Sequence, residues 1–256
     1  IMPLLLLAQK HDNTWIYGQK SDNPLVKTTK IDFSGGAPEF IITDFEGSFV
    51  AFSSSMSDSI GNLLFYTNGC HIFDASGKIM LNGDTLNSQP TSYWIDFCNG
   101  ISPSYRQVHG AFVLPRPGMD TIYDLFHVNI GRRDEPPSIL SLLHTVIDMN
   151  TSDGLGKVIE KDKPLLIGDF YEVAAAARHG NGRDWWIVAP NAKTSYPVLH
   201  RFLLTPQGIQ GPYQQEGMFQ VIDSAFYGGA QVLLFTPDGS KLVQYHYYYG
   251  FIVYDF

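Results

Sequence analysis

Helical periodicity is nearly absent from this chain. No stretch repeats apolar residues at three- and four-residue spacing over the length of a globular helix. The one alanine-rich run, YEVAAAARH at 171–179, is short and leads directly into a glycine turn, so it reads as a strand entering a turn. No apolar run is long enough to cross a bilayer as a helix. Basic residues are few and scattered, 17 Lys and Arg against 25 Asp and Glu, for a formal charge of −8. A nucleic-acid surface needs clustered cations to displace counterions, so no nucleic-acid partner is expected. The two cysteines, Cys70 and Cys98, have no CxxC companion and do not make a structural zinc site. They leave one disulfide or two buried thiols open. GxGxxG, P-loop, HExxH and GxSxG motifs are all missing, which removes the strongest nucleotide, zinc-protease and serine-hydrolase signals. No cofactor is expected.

Turn and strand signals fill the space that helices leave. Aromatics make up 14% of the chain, with 24 Gly and 15 Pro, the profile of short strands divided by tight turns. Four segments share one form: SIGNLLFYTN, PRPGMDTIYDLFHV, HGNGRDWWIVAP and TPDGSKLVQY. Each is a strand end, a glycine-bearing turn and a new apolar strand. The turn glycines Gly61, Gly118, Gly182 and Gly239 stand 57, 64 and 57 residues apart. Further glycine turns follow at Ser76-Gly77, Asp153-Gly154 and Gln207-Gly208, before a fourth strand. A period near 60 residues carrying about four strands is that of a propeller blade with generous loops. The expected fold is all-β, a β-propeller of four-stranded blades. About four blades are counted, of a larger or incompletely represented propeller, because FIVYDF ends the chain without a closing strand. A β-sandwich also has short strands at this spacing, without the fourfold return of one composite unit.

The start, IMPLLLLAQK, carries a short leucine run ending at Ala8. It reads as a signal-peptide remnant over 1–8, with the propeller domain or fragment over 9–256; an apolar edge strand is the alternative.

DFSGGAPEF at 32–40, GNLLFYTNG at 61–69, LNGDTL at 81–86, HTVIDMNTSDGLGKV at 144–158, AAARHGNGRDWWIV at 175–188 and TPDGSKL at 236–242 together resemble a protein family. It is the propeller-like, WD40-like repeat region near the N-terminus of large secreted or cell-surface proteins of the Bacteroidota, several of them associated with gliding motility and type IX secretion. The resemblance implies a multi-bladed propeller, export, and a binding or scaffold role at the cell surface. It carries over no catalytic residue. The segment SYWIDFCNGISPSYRQVHG at 92–110 departs from the pattern, being longer and more aromatic than the family's link at this point.

The functional expectation is therefore a secreted, non-catalytic interaction or scaffold module with a protein or glycan partner. Rigid aromatics give contact area at low entropy cost, and candidate contacts are Tyr93, Trp94, Tyr105, Arg106, Arg183 and Trp186. QYHYYYGF at 244–251 is a second aromatic-rich run. His179, Asp184 and Trp185 are read as structural, together with the four turn glycines. The rival reading is a propeller glycoside hydrolase or polysaccharide lyase that draws carboxylates from different blades, with Glu46, Glu172 and Asp184 as its acids. A third is a purely structural segment. The eight histidines include His71, His144 and His200 at comparable strand positions, which structural placement explains better than a metal ring. The acidic turns DGLG, PDGSK and FDASGK fit ordinary Asx turns better than calcium loops.

Overall fold

The structure, a computed structural model, describes residues 10–19, 23, 26–49, 53–87, 98, 110–131, 138–170, 174–191, 198–216, 232–246 and 250–256. These residues are all-β, with one short 3-10 turn at Ser152–Gly154. Among the described residues eighteen strands form five antiparallel sheets that follow one another in chain order.

Sheet I holds β1 (Thr14–Gln19), β2 (Thr28–Asp32), β3 (Glu39–Thr43) and β4 (Ser48–Phe49), with β4 returning to the free side of β1. Sheet II is β5 (Ser54–Ser57), β6 (Leu63–Thr67) and β7 (Ile72–Asp74), extended by a bridge from Phe73 to Ile79. Sheet III is β8 (Ala111–Pro115), β9 (Ile122–Gly131), β10 (Ser138–Asp148) and β11 (Lys157–Phe170). Sheet IV is β12 (Ala175–Arg178), β13 (Trp185–Asn191), β14 (Val198–Thr205) and β15 (Gly208–Glu216). Sheet V is β16 (Val232–Phe235), β17 (Lys241–His246) and β18 (Gly250–Asp255). Sheets II to V are simple meanders, each strand paired with the next in sequence.

Each of the four recurring hairpins joins the first two strands of a sheet, in II, III, IV and V respectively. Gly61, Gly118, Gly182 and Gly239 all have positive φ, between +69° and +102°, a region that side chains with a Cβ seldom enter. The turns are held by their own side chains. Asp58 Oδ1 accepts N–H bonds from Ile60, Gly61 and Asn62, and Asp238 Oδ1 accepts from Ser240. Asp74 accepts both the backbone N–H and the hydroxyl of Ser76. The acidic turns FDASGK and PDGSK are thus Asx turns. Sheet I is one more than the four units counted in the sequence. Its strands are joined through Ser34-Gly35-Gly36 and other turns that lack the recurring hairpin signature. The alanine run is strand β12, as its short length before a turn implied.

Packing is between consecutive sheets. One apolar core joins I to II through Ile16, Phe49, Tyr66 and Phe73. Met56, Phe65 and Ile72 of sheet II meet Tyr123, Leu125 and Ile147 of III. Leu114, Phe126 and Leu142 of III meet Ile187, Phe202 and Leu204 of IV. Ala175 and Val188 of IV meet Leu233 and Leu242 of V. At about 1.5–3 kcal/mol per fully buried large apolar side chain, these four seams are the main source of stability. The first strands lie toward one another: β1 beside β5, β5 beside β8, and β12 beside β16. Ala111–Leu114 of β8, Ala174–Arg178 and Val232–Phe235 border a single cavity of about 610 Å³. Among the described residues no strand pairing and no apolar core joins sheet V back to sheet I. A disulfide between Cys70 and Cys98 ties the end of the hairpin in sheet II to residue 98.

Candidate functional site

Strand alternation explains the two adjacent tryptophans. Consecutive side chains on β13 point to opposite faces. Trp185 faces sheet III, where its Nε1–H donates to the Pro115 carbonyl at 3.2 Å and the Arg178 guanidinium lies 3.7 Å from its ring centre. Trp186 faces sheet V. The hairpin that delivers both rings is fixed from within. His179 N–H donates to Asp184 O, Gly182 N–H donates to His179 O, and Asn181 Oδ1 accepts from Arg183 and Asp184 N–H. Arg183 grips the Asp184 carboxylate with two bonds, of 2.8 and 3.0 Å, and Asn181 Nδ2 adds a third at 2.7 Å. The hydrogen bond from Arg183, then that from Asn181, holds the Asp184 carboxyl below its ordinary range.

The face that carries Trp186 opens on a groove of about 520 Å³ between sheets IV and V. Pairing register brings its residues together: Val188 stands opposite Arg201, and Arg201 opposite Tyr213. Val188, Leu199, Leu242 and Val253 make its apolar walls, with Arg201, Gln215, Tyr254, Asp255 and Phe256 beside them. The Trp186 ring is half-buried, 5.4 Å from the His179 ring and 6.4 Å from that of Tyr213. A break in the β14–β15 register between Arg201 and Leu203 sets the position of Tyr213. Gly211 makes that break feasible. It has φ +114°, and a Cβ there would sit 2.8 Å from the Arg201 carbonyl oxygen.

Arg201 is the unusual member. Its guanidinium lies 5.8 Å from the Trp186 ring centre, and its Nε is buried without a hydrogen-bond partner among the described residues. A buried, unpaired donor costs about 1–3 kcal/mol, more when charged. The other charge among the described groove residues, Asp255, is paired with Lys241, and the Tyr254 hydroxyl donates to Gln244. Among the described residues the groove therefore combines a ring, apolar walls and a guanidinium without an ion pair.

Two polar clusters lie in sheet III. Asp124, fully buried, accepts two bonds from Arg116, at 3.0 and 2.6 Å, and its Oδ1 lies 2.7 Å from His144 Nε2. Burial opposes its charge, but the bonds from His144 and Arg116 hold its carboxyl below the usual range. His144, Arg116, Glu160 and Lys163 border a second, smaller cleft against β15. Deeper in, His127 is wholly buried, with Nδ1 3.0 Å from Asn87 Oδ1 and Nε2 2.9 Å from Thr145 Oγ1. Desolvation lowers its pKa to about 4 against the pull of Asp162.

Of the residues picked out in the sequence, Trp186 lines the groove, and Arg183 is exposed in the hairpin, engaged with Asp184. Tyr93, Trp94, Tyr105, Arg106 and Glu172 lie outside the described residues, as do residues 1–8. Glu46 is exposed on the turn between β3 and β4 of sheet I, with no hydrogen bond or ion pair to Asp184 among the described residues. His71, His144 and His200 sit on or just before the third strands of sheets II, III and IV. Among the described residues no three His, Cys, Asp or Glu are grouped to hold a metal. Arg201 and Tyr213 were not singled out by sequence. Counting alternate positions back from Trp186 and across the turns would have found them, but only with the register known. No protein-family model matches the chain, and no curated protein and no solved structure matches it significantly.

Proposed function

We propose that the five sheets are blades of a β-propeller and that the chain is a non-catalytic binding module, exported to the cell surface, holding a ligand in the groove between sheets IV and V. The observation that carries the reading is the succession itself. Five sheets pack in order through four apolar seams, and the first strands of sheets III, IV and V border one cavity. Nearest-neighbour packing of this kind suits a fan of blades better than two facing layers. Rigid sheets present rim residues with little ordering cost on binding. The Trp186 groove has the size and the mixed apolar and polar lining of a small-ligand site. The Cys70–Cys98 disulfide suits an oxidising, extracellular setting. The acid that could have served a hydrolase in the hairpin, Asp184, is committed to Arg183 and Asn181, which favours binding over turnover.

The test is a printed array of glycans probed with the labelled chain, run beside a reducing-end assay on the matching polysaccharides. Retention of a glycan without release of new reducing ends, and loss of retention in Trp186→Ala, are expected. Turnover would replace the binding module with an enzyme. Retention unchanged by Trp186→Ala would move the site elsewhere, and no retention of any glycan would remove the reading.

A further inference from the structure

We infer that the groove between sheets IV and V takes an acidic saccharide, its carboxylate on Arg201 and its ring against Trp186. The inference rests on the binding-module reading and names the ligand class for the same site.

A guanidinium usually finds a carboxylate, a carbonyl or water; here the Arg201 guanidinium lies 5.8 Å from the Trp186 ring centre, and its Nε meets no acceptor among the described residues. Among the described residues the one carboxylate bordering the groove, Asp255, is matched by Lys241, which leaves Arg201 there as a positive charge without an ion pair. The missing partner is therefore an anion, and a guanidinium fork suits a planar carboxylate. The rest of the lining suits a sugar. Trp186 and the aliphatic walls Val188, Leu199 and Val253 meet C–H faces, while Gln215 at the rim provides an amide donor and acceptor for hydroxyls. A volume of about 520 Å³ accommodates one or two such rings. A peptide adding to the exposed edge of β18 would take its bonds from the backbone, and would leave the Arg201 donor unanswered.

Trigalacturonate, its neutral counterpart galactotriose and a short polyglutamate peptide are titrated into the whole chain by calorimetry, at low and at physiological salt. Trigalacturonate is expected to bind, more weakly as salt rises. Galactotriose should bind on the order of tenfold to a hundredfold more weakly, the difference a charge-assisted pair supplies. Arg201→Gln should erase that preference, Arg201→Lys keep part of it, and Trp186→Ala weaken both sugars. If Arg201→Gln does not fold, the Arg Nε–H resonances of the natural chain decide: a shift confined to one arginine on adding trigalacturonate is expected, and none overturns the proposal. Equal binding of both sugars, lost in Trp186→Ala, would overturn acid selectivity while the groove stands as a binding site. Binding of polyglutamate alone would make it a peptide site. No binding of any probe, or trigalacturonate bound equally by Arg201→Gln, would overturn the inference.

Discussion

Acidification should lower the stability of this protein over two separate pH ranges, and the first belongs to His127. The Asn87 Nδ2 group donates to the Gly69 carbonyl, so Asn87 Oδ1 is an acceptor and His127 must carry its proton on Nδ1. Thr145 Oγ1 accepts from Asp162 N–H and turns its own proton toward His127 Nε2. Both ring nitrogens are thus satisfied in the neutral form, and a second proton has no acceptor ready at Thr145. Burial is the first cause of the lowered pKa, about 4 against an ordinary 6.5. Since the folded value lies below the unfolded one, the unfolded chain binds the extra proton first. Stability is full above pH 6.5, falls as pH drops toward 4, and levels off below. A gap of about 2.5 units corresponds to about 3 kcal/mol. The carboxylates Asp124, Asp184, Asp32 and Asp238, whose pKa values are lowered in the fold, act in the opposite region, costing stability only as pH falls below about 4. Urea unfolding followed by tryptophan fluorescence from pH 7.5 to 4 should show the loss. His127→Gln should flatten most of it, leaving a smaller share to His71 and His200, whose pKa values burial also lowers. In the natural chain one imidazole should stay neutral to near pH 4 by NMR. A stability flat from pH 7.5 to 5, or a slope untouched in His127→Gln, would refute the reasoning.

Reduction of Cys70–Cys98 opens a loop of 28 residues, and the loop-entropy relation places the loss near about 3.5 kcal/mol, read as a lower melting temperature in reductant. Trp185→Ala removes the ring between Arg178 and the Pro115 carbonyl and should cost on the order of 3 kcal/mol in urea unfolding; a change below about 0.5 kcal/mol would show that the seam between sheets III and IV does not depend on it.

The all-β class and the position of every recurring hairpin were legible because glycine and Asx residues impose their geometry locally. Gly182 needs positive φ whatever surrounds it, and Asn181 satisfies the turn from its own side chain. Sheet I was missed as a unit because its connections use other turns. The groove was legible only at Trp186. Arg201 joins that tryptophan through the pairing of β13 with β14, and Tyr213 through a register break at Gly211. A shift of one residue would have sent Arg201 into the apolar seam with sheet III, where Phe202 now sits. Long-range pairing of this kind leaves no mark in local sequence. His127 gave a related difficulty: Asn87, its partner, is 40 residues away and arrives on the segment that follows sheet II.

The tryptophan pair shows how the architecture divides labour. The inner sheets pack a neighbour on each side, and their apolar side chains are divided between the two seams. Sheet IV is covered by the four-stranded sheet III on one side, which occupies Trp185, Ile187 and Phe202. On the other side stands sheet V, with three described strands, and its last strand, β18, faces the space in front of β14 and β15. Between the described strands of the two sheets, Trp186 and Arg201 border the groove, with Tyr213 beside Trp186. A polar residue, Arg201, stands on the face that borders the groove; on the opposite face the same guanidinium would lie among Phe126, Ile187 and Leu204 in the apolar seam. Binding capacity at the rim and stability in the seam are thus set by one strand's alternation read against two unequal neighbours.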